Sequence, residues 1–297
     1  MPACLFACDL HGRLDRYEKL SKAVLSEKPA ALFLGGDLLP HGRLGIRSTP
    51  PVQEPRLPRL DGREGTTGDF LIPGFAKLKS DLGADYPRVF LILGNDDPRR
   101  EEPGVLEGER RGLWEYAHNR RLELGPYAVY GYSFVPPTPF LLKDWERYDV
   151  SRYVDPGCVS PEEGRRTVPA DEQEIRFATI QEDLARLAGE SDLSRAVFLF
   201  HTPPYGSLLD RAHLDGRKVE HVPLDVHVGS IAVRKFIEAR VPRLTLHGHV
   251  HESARLTGSW RDRIGSSIAL SAAHDGPELA LVRFDPECPE QASRELV

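Results

Sequence analysis

The sequence predicts an α/β protein whose central strands are buried on both faces. Apolar runs of strand length recur along the 297-residue chain, and they are continuously apolar rather than alternating. That pattern fits strands covered on both sides. Stretches of helical period lie between them, so strand and helix alternate. Two late segments, SSIALSA and LALVRFD, read as closing strands of a second sheet.

Taken in order, each run ends in a polar residue. ACLFACD leads into Asp9 and AALFLGGD into Asp37; RVFLILGND leads into Asn95 and RAVFLFH into His201. PRLTLHGHVH supplies His247, His249 and His251. The clearest helix follows Asp171, which reads as an N-cap with Glu174 three residues on. It sets Phe177, Ile180, Leu184 and Leu187 on one stripe. Another begins near Ser230 and includes Val233, Phe236 and Ile237. Residues 38–68 break the pattern with five prolines, five arginines and little periodicity. They read as a long loop placed like a lid just after Asp37. Residues 141–168 form a second irregular excursion. No repeat or boundary splits the chain, so residues 1–297 read as one domain with these two loop insertions.

Composition narrows the function. A net charge of −6 argues against a basic nucleic-acid surface. It leaves an anionic substrate open, because bound metal ions invert the local field. Four cysteines without CxxC pairing indicate neither a zinc knuckle nor a disulfide framework, and they fit a reducing cytoplasm. The amino terminus lacks signal-peptide character and no apolar run reaches membrane-spanning length, so no membrane partner is expected. The chain has only two asparagines, which makes Asn95 at a strand end conspicuous.

In open α/β sheets, ligands gather beyond the carboxyl ends of the strands. Five such ends here offer Asp9 and His11, Asp37, Asn95, His201, and His249 with His251. Residues two apart in a strand share a face. Asp9 and His11 are therefore expected to point one way, as are the alternate histidines from His247, and Cys8 should turn away into the core. Carboxylate, amide oxygen and imidazole together suit Mn, Fe, Zn or Ni. Seven ligand residues exceed one tetrahedral ion and suit two ions sharing a bridging carboxylate.

The motifs D-x-H, G-G-D, G-N-D-D, H-x-P-P and G-H-x-H, in that order from Asp9 to His251, closely resemble the calcineurin-like metallophosphoesterase family. The resemblance implies a four-layer α/β/β/α sandwich, two central mixed β-sheets with a dinuclear metal site at the carboxyl ends of strands. Position by position, it implies Asp9, His11 and His251 on one ion, Asn95, His201 and His249 on the other, and Asp37 bridging. The implied activity is metal-dependent hydrolysis of a soluble phosphomonoester or phosphodiester by a metal-bridging hydroxide. The implied partner is a small phosphoester, with nucleic acid disfavoured. His247 falls outside the motif and is left to packing or to support of the ligands.

One position departs from the family pattern. The third motif usually reads G-N-H-(D/E), with its histidine near the leaving group, whereas Asp96 follows Asn95 here. A carboxylate beside two cations stays ionised and has no proton to give. Asp96 is retained as a candidate catalytic residue together with His227, which precedes a helix start and reads as phosphate-facing or capping. His213, His221 and His274 read as structural or exposed. Without the motif histidine, the alternative is a metal-binding scaffold with weak or no catalysis.

Overall fold

The apolar runs become strands that sort into two six-stranded sheets. The computed structural model describes residues 4–40 and 67–297, so most of the expected 38–68 loop (residues 41–66) lies outside the described residues. In chain order the strands run β1 (Cys4–Ala7), β2 (Ala31–Gly35), β3 (Arg88–Ile92), β4 (Glu115–Tyr116), β5 (Arg120–Leu124), β6 (Tyr127–Tyr132) and β7 (Ala196–Phe200). A short hairpin follows, β8 (Lys218–Val219) and β9 (Val222–Pro223). Then come β10 (Leu244–His247), β11 (Arg261–Ile264), β12 (Ser267–Ser271), β13 (Ala280–Phe284) and β14 (Ser293–Leu296). Between them lie α1 (Leu14–Glu27), α2 (Leu71–Leu82), α3 (Glu102–Arg110), α4 (Glu172–Phe177), α5 (Ile180–Ala188), α6 (Ile231–Arg240) and α7 (Ser253–Thr257).

The first sheet has the order β14-β13-β1-β2-β3-β4, the second β11-β12-β10-β7-β6-β5. In the first sheet β1 to β4 run parallel and β13 and β14 pair antiparallel; in the second, β12, β10, β7 and β6 run parallel between the antiparallel edges β11 and β5. Alternation along each strand separates two cores. Cys4 and Phe6 of β1 join Phe33, Phe90, Val197, Leu199 and Leu246 in the cluster between the sheets. Leu5 and Ala7 join the helix-side cluster instead. Phe33 stacks on Phe90 at 5.1 Å and leans on Phe284 at 5.6 Å, which locks β2, β3 and β13 together. On the outer side of the second sheet, Phe198 meets Phe236 of α6 edge-on at 5.0 Å. The result is helix, sheet, sheet, helix, as expected. No helix among the described residues is long and apolar enough to cross a membrane.

Two expectations need correction. The closing segments do not share a sheet: β12 runs parallel beside β10, whereas β13 returns to the first sheet, antiparallel to β1. The helix after Asp171 is also two helices. Asp171 caps α4, and Thr179 starts α5 by accepting from the Glu182 amide at 3.2 Å. The break is held by the Ile180 amide donating to the Tyr148 carbonyl at 2.8 Å. Phe177 is consequently left 52% exposed rather than on the buried stripe.

The 141–168 excursion has no helix or strand, yet it is firmly built in. Trp145, Lys143 and Glu146 are fully buried or nearly so, and the last two form an ion pair. Its Asp149 carboxylate accepts from the Ile231 amide at 2.7 Å and the Ala232 amide at 3.2 Å. The α6 N-terminus is thus already occupied by a protein anion.

His247 ends β10 and belongs to the core. It is wholly buried, stacked on Phe200 at 5.6 Å, with Nδ1 donating to the Thr202 carbonyl at 2.9 Å. Its Nε2 lies 2.8 Å from Thr245 Oγ1. Burial pushes this imidazole down to about 4. The folded protein therefore cannot take a proton that the unfolded chain binds near pH 6.5. Stability should be full above that value and fall as pH drops toward 4. Denaturant unfolding at stepped pH should show the native protein losing about 3 kcal/mol more than His247→Gln between pH 7 and 4. Equal losses would contradict a neutral buried His247.

Candidate metal centre

The two sheets bring their carboxyl-terminal strand ends together at one edge. Asp9 and His11 follow β1, Asp37 follows β2, and Asn95 follows β3. From the facing sheet, His201 follows β7, and His249 and His251 follow β10. Ligand atoms of Asp9, His11, Asp37 and His251 all lie within 4.8 Å of one another. His251 Nε2 is 3.4 Å from Asp9 Oδ1 and 3.3 Å from His11 Nε2. On the other side of Asp37, its Oδ2 is 3.3 Å from His201 Nε2, which is 3.0 Å from Asn95 Oδ1. The His249 ring meets the His201 ring edge-on at 5.2 Å. All seven sequence-predicted residues converge, with Asp37 between the two groups.

Strand alternation does not bring them there. The strands end at Ala7 and His247, before the site residues begin. Asp9, His11, Asp37 and His249 instead have φ of 55°, 48°, 52° and 73°, in the left-handed region that costs about 1–3 kcal/mol for a side-chain-bearing residue. Backbone bonds hold the turns: the Asp9 amide donates to the Gly36 carbonyl at 3.0 Å, and the His11 amide to the Asp37 carbonyl at 2.8 Å. Cys8 lies in the inter-sheet core as expected, but it does not turn away from the site: its sulfur donates to Asp9 Oδ2 at 2.7 Å. Its thiol is fully buried, and burial and the Asp9 charge push it well above its ordinary value.

Three supports escaped the sequence reading. Arg16 of α1 donates to the Asp9 carbonyl at 2.6 Å and to the Gly276 carbonyl at 2.7 Å. Asp97 accepts from the amides of Leu38, Leu39 and Gly94 at 2.8–3.1 Å, tying the Asp37 turn to the Asn95 turn. Gly94 is required by close approach, since a Cβ there would strike Asp37 Oδ1 and sit 2.7 Å from His201 Cε1. The doubled aspartate of G-N-D-D was the available signal for Asp97. No local signal marks Arg16.

Charge balance tests whether a cation fits. Burial opposes ionisation of Asp9 and Asp37, but His251 beside the first and His201 beside the second outweigh it and hold both carboxyls well below the usual range. Burial would likewise lower His201 and His251, yet Asp37 pushes the first up to about 10 and Asp9 pushes the second up to about 8. Burial, then the neighbouring His201, holds His249 down to about 3. His201 Nδ1 donates to the Gly35 carbonyl at 2.8 Å, which leaves Nε2 as the atom aimed at Asp37 Oδ2 and Asn95 Oδ1. Three acceptors then face one another, and only an extra proton or a cation reconciles them. The donor set fits a divalent ion.

Asp96 sits at the mouth, its Oδ2 3.8 Å from His11 Nδ1 and its side chain 30% exposed. Its amide donates to Asp37 Oδ1 at 2.9 Å. His227 makes no hydrogen bond, ion pair or ring contact with these residues, and it does not cap α6. Ser230 is the cap and Asp149 fills the helix end; His227 Nδ1 bonds Asp210 instead, at 2.8 Å. His213 and His221 are exposed, and His274 pairs with Glu278 at 3.0 Å, as expected of structural or surface residues.

Two mixed sheets sandwiched by helices thus carry an Asp/His cluster that could hold a metal ion at one edge. Residues 4–253 match the calcineurin-like phosphoesterase family model, and the chain belongs to that family. One solved crystal structure is similar at TM-score 0.59 and 16% identity, over 99% of this chain and 98% of its own. The crystal structure of TT1561 of Thermus thermophilus is similar at TM-score 0.54 and 16% identity, over 100% of this chain and 99% of its own. At that identity the likeness is one of fold. No curated protein matches the sequence.

Two outcomes follow from the site. Because His201 and His251 hold protons that a cation must displace, divalent-ion uptake at pH 7 should release roughly two protons per chain. Titration calorimetry in buffers of different ionisation enthalpy reads this directly; no release would contradict the charge assignment. Because His249 is left-handed, His249→Gly should be more stable in metal-free denaturant unfolding than His249→Ala by about 1 kcal/mol. The reverse order would contradict that backbone.

Proposed function

We propose that the protein is a metal-dependent phosphoesterase that hydrolyses a soluble phosphomonoester or phosphodiester at a dinuclear centre. The observation that carries this reading is the cluster of acceptor atoms on both sides of Asp37. Asp9, His11 and His251 would hold one ion, Asn95, His201 and His249 the other, and Asp37 both. Mn, Fe, Zn and Ni all suit these donors. Such ions, when bound, polarise phosphoryl oxygens and lower the pKa of a water at the site. The chain's own part is to fix the geometry. Arg16 and Asp97 hold the turns, and the Gly35 carbonyl keeps the His201 proton on Nδ1. Asp96, beside the ions, stays a carboxylate; it orients water or substrate at the mouth rather than donating a proton. The four free cysteines fit a cytoplasmic setting.

Hydrolysis of p-nitrophenyl phosphate and bis-p-nitrophenyl phosphate with added Mn²⁺ tests the reading. Asp37→Ala should lose both ions and at least about a hundredfold in rate, whereas Asp9→Ala should keep one ion. Normal metal content and rate in Asp37→Ala would overturn the assignment. A native chain that binds ions but cleaves neither ester would be a metal-binding scaffold instead.

A further inference from the structure

Asp210 is fully buried in the connection between β7 and α6, and its carboxylate collects four strong donors. The amides of Gly206, Ser207 and Gly229 donate to it at 2.8, 3.0 and 3.2 Å, and His227 Nδ1 at 2.8 Å. Four donors on two oxygens leave no place for an acid proton, so Asp210 is a carboxylate and His227 carries a proton on Nδ1. The imidazole is thereby fixed in one tautomer while its side chain stays 34% exposed, with Nε2 as the ring's other nitrogen. Its surroundings are set as well. Asp225 accepts from the His227 amide at 2.9 Å and from the Tyr205 hydroxyl at 2.6 Å, and the Tyr205 ring lies edge-on at 5.9 Å. Arg211 is its partner across a β-bridge.

This segment is fastened to metal-site turns on two sides. The Ser230 amide donates to the carbonyl of Pro203, two residues after His201, at 2.9 Å. The Arg211 amide donates to the hydroxyl of Ser253, two residues after His251, at 3.0 Å. The same hydroxyl donates to the Leu208 carbonyl at 2.9 Å. A tautomer-locked, partly exposed imidazole is thus carried between the turns that hold His201 and His251. Neither capping nor anion binding at α6 accounts for it, since Ser230 and Asp149 do both.

We infer that His227 donates the proton to the leaving group of this phosphoesterase, with Asp210 as its positioning residue. The inference rests on the proposed function. As the bond from water oxygen to phosphorus forms and one proton of that water passes to solvent, the bond from phosphorus to the leaving oxygen breaks and its electron pair stays on that oxygen. That oxygen takes the proton from Nε2 of the His227 imidazolium. Neutral imidazole remains, its Nδ1–H still on Asp210, and solvent returns a proton to the partly exposed ring. The role left vacant by Asp96 in the third motif is thereby filled from a different loop.

The test uses the metal-loaded full chain and a series of phosphodiesters graded in leaving-group pKa. His227→Asn should lower kcat on alkyl esters about 10²–10⁴-fold and on p-nitrophenyl esters far less, with metal content and KM unchanged. Asp210→Asn should shift the same slope in the same direction. A second readout needs no turnover. In ¹⁵N histidine spectra of the Zn²⁺-loaded native protein, added inorganic phosphate should move the His227 Nε2 resonance, and Nδ1 should report as protonated. An unchanged slope in His227→Asn, or a His227 resonance indifferent to phosphate, overturns the inference while leaving the proposed function standing. A metal-loaded native protein that cleaves no ester overturns the proposed function and the inference with it.

Discussion

Two ionised carboxylates, Asp9 and Asp37, share one buried space with histidine nitrogens, and the rest of the site is arranged around keeping that cluster together. Their repulsion is offset by imidazolium charge on His201 and His251, or by cations in place of those protons. The backbone bears a parallel cost. Four of the gathered residues hold left-handed turns that only glycine adopts freely, so the surrounding hydrogen bonds must over-determine them. Asp97 with its amide donors and Arg16 on the Asp9 carbonyl supply that restraint.

The fold makes the convergence possible. The parallel strands β1, β2 and β3 send their carboxyl ends to the edge where β7 and β10 of the other sheet also finish. The inter-sheet core of Phe6, Phe33, Phe90, Leu199 and Leu246 fixes the spacing between the two sets of turns. Gly36 and Gly94 let those turns touch, since a Cβ on either would meet His201. Packing density in the core is therefore transmitted directly to the geometry of the candidate site.

Much of this was legible in the sequence. Continuous apolar runs located the strands because burial on both faces leaves no polar alternation, and each run pointed to a residue of the candidate site. The means of convergence was not legible. Period-two alternation assumes the strand continues, whereas β1 and β10 stop before Asp9 and His249, and a positive φ at aspartate or histidine has no compositional mark. The sheet membership of β13 was hidden for a similar reason: both closing strands are mostly apolar, and partner choice decides their sheets. The pairing of Asp210 with His227 spans 17 residues of irregular chain and has no periodic signature. The split between α4 and α5 depends on a tertiary bond to Tyr148, which overrides a stripe that reads as continuous.

Anomalous diffraction from a crystal soaked in Mn²⁺ tests the central claim most directly. The account predicts two peaks astride Asp37, one contacted by Asp9, His11 and His251 and the other by Asn95, His201 and His249. A single peak, or two peaks that leave Asp37 uncoordinated, would contradict it.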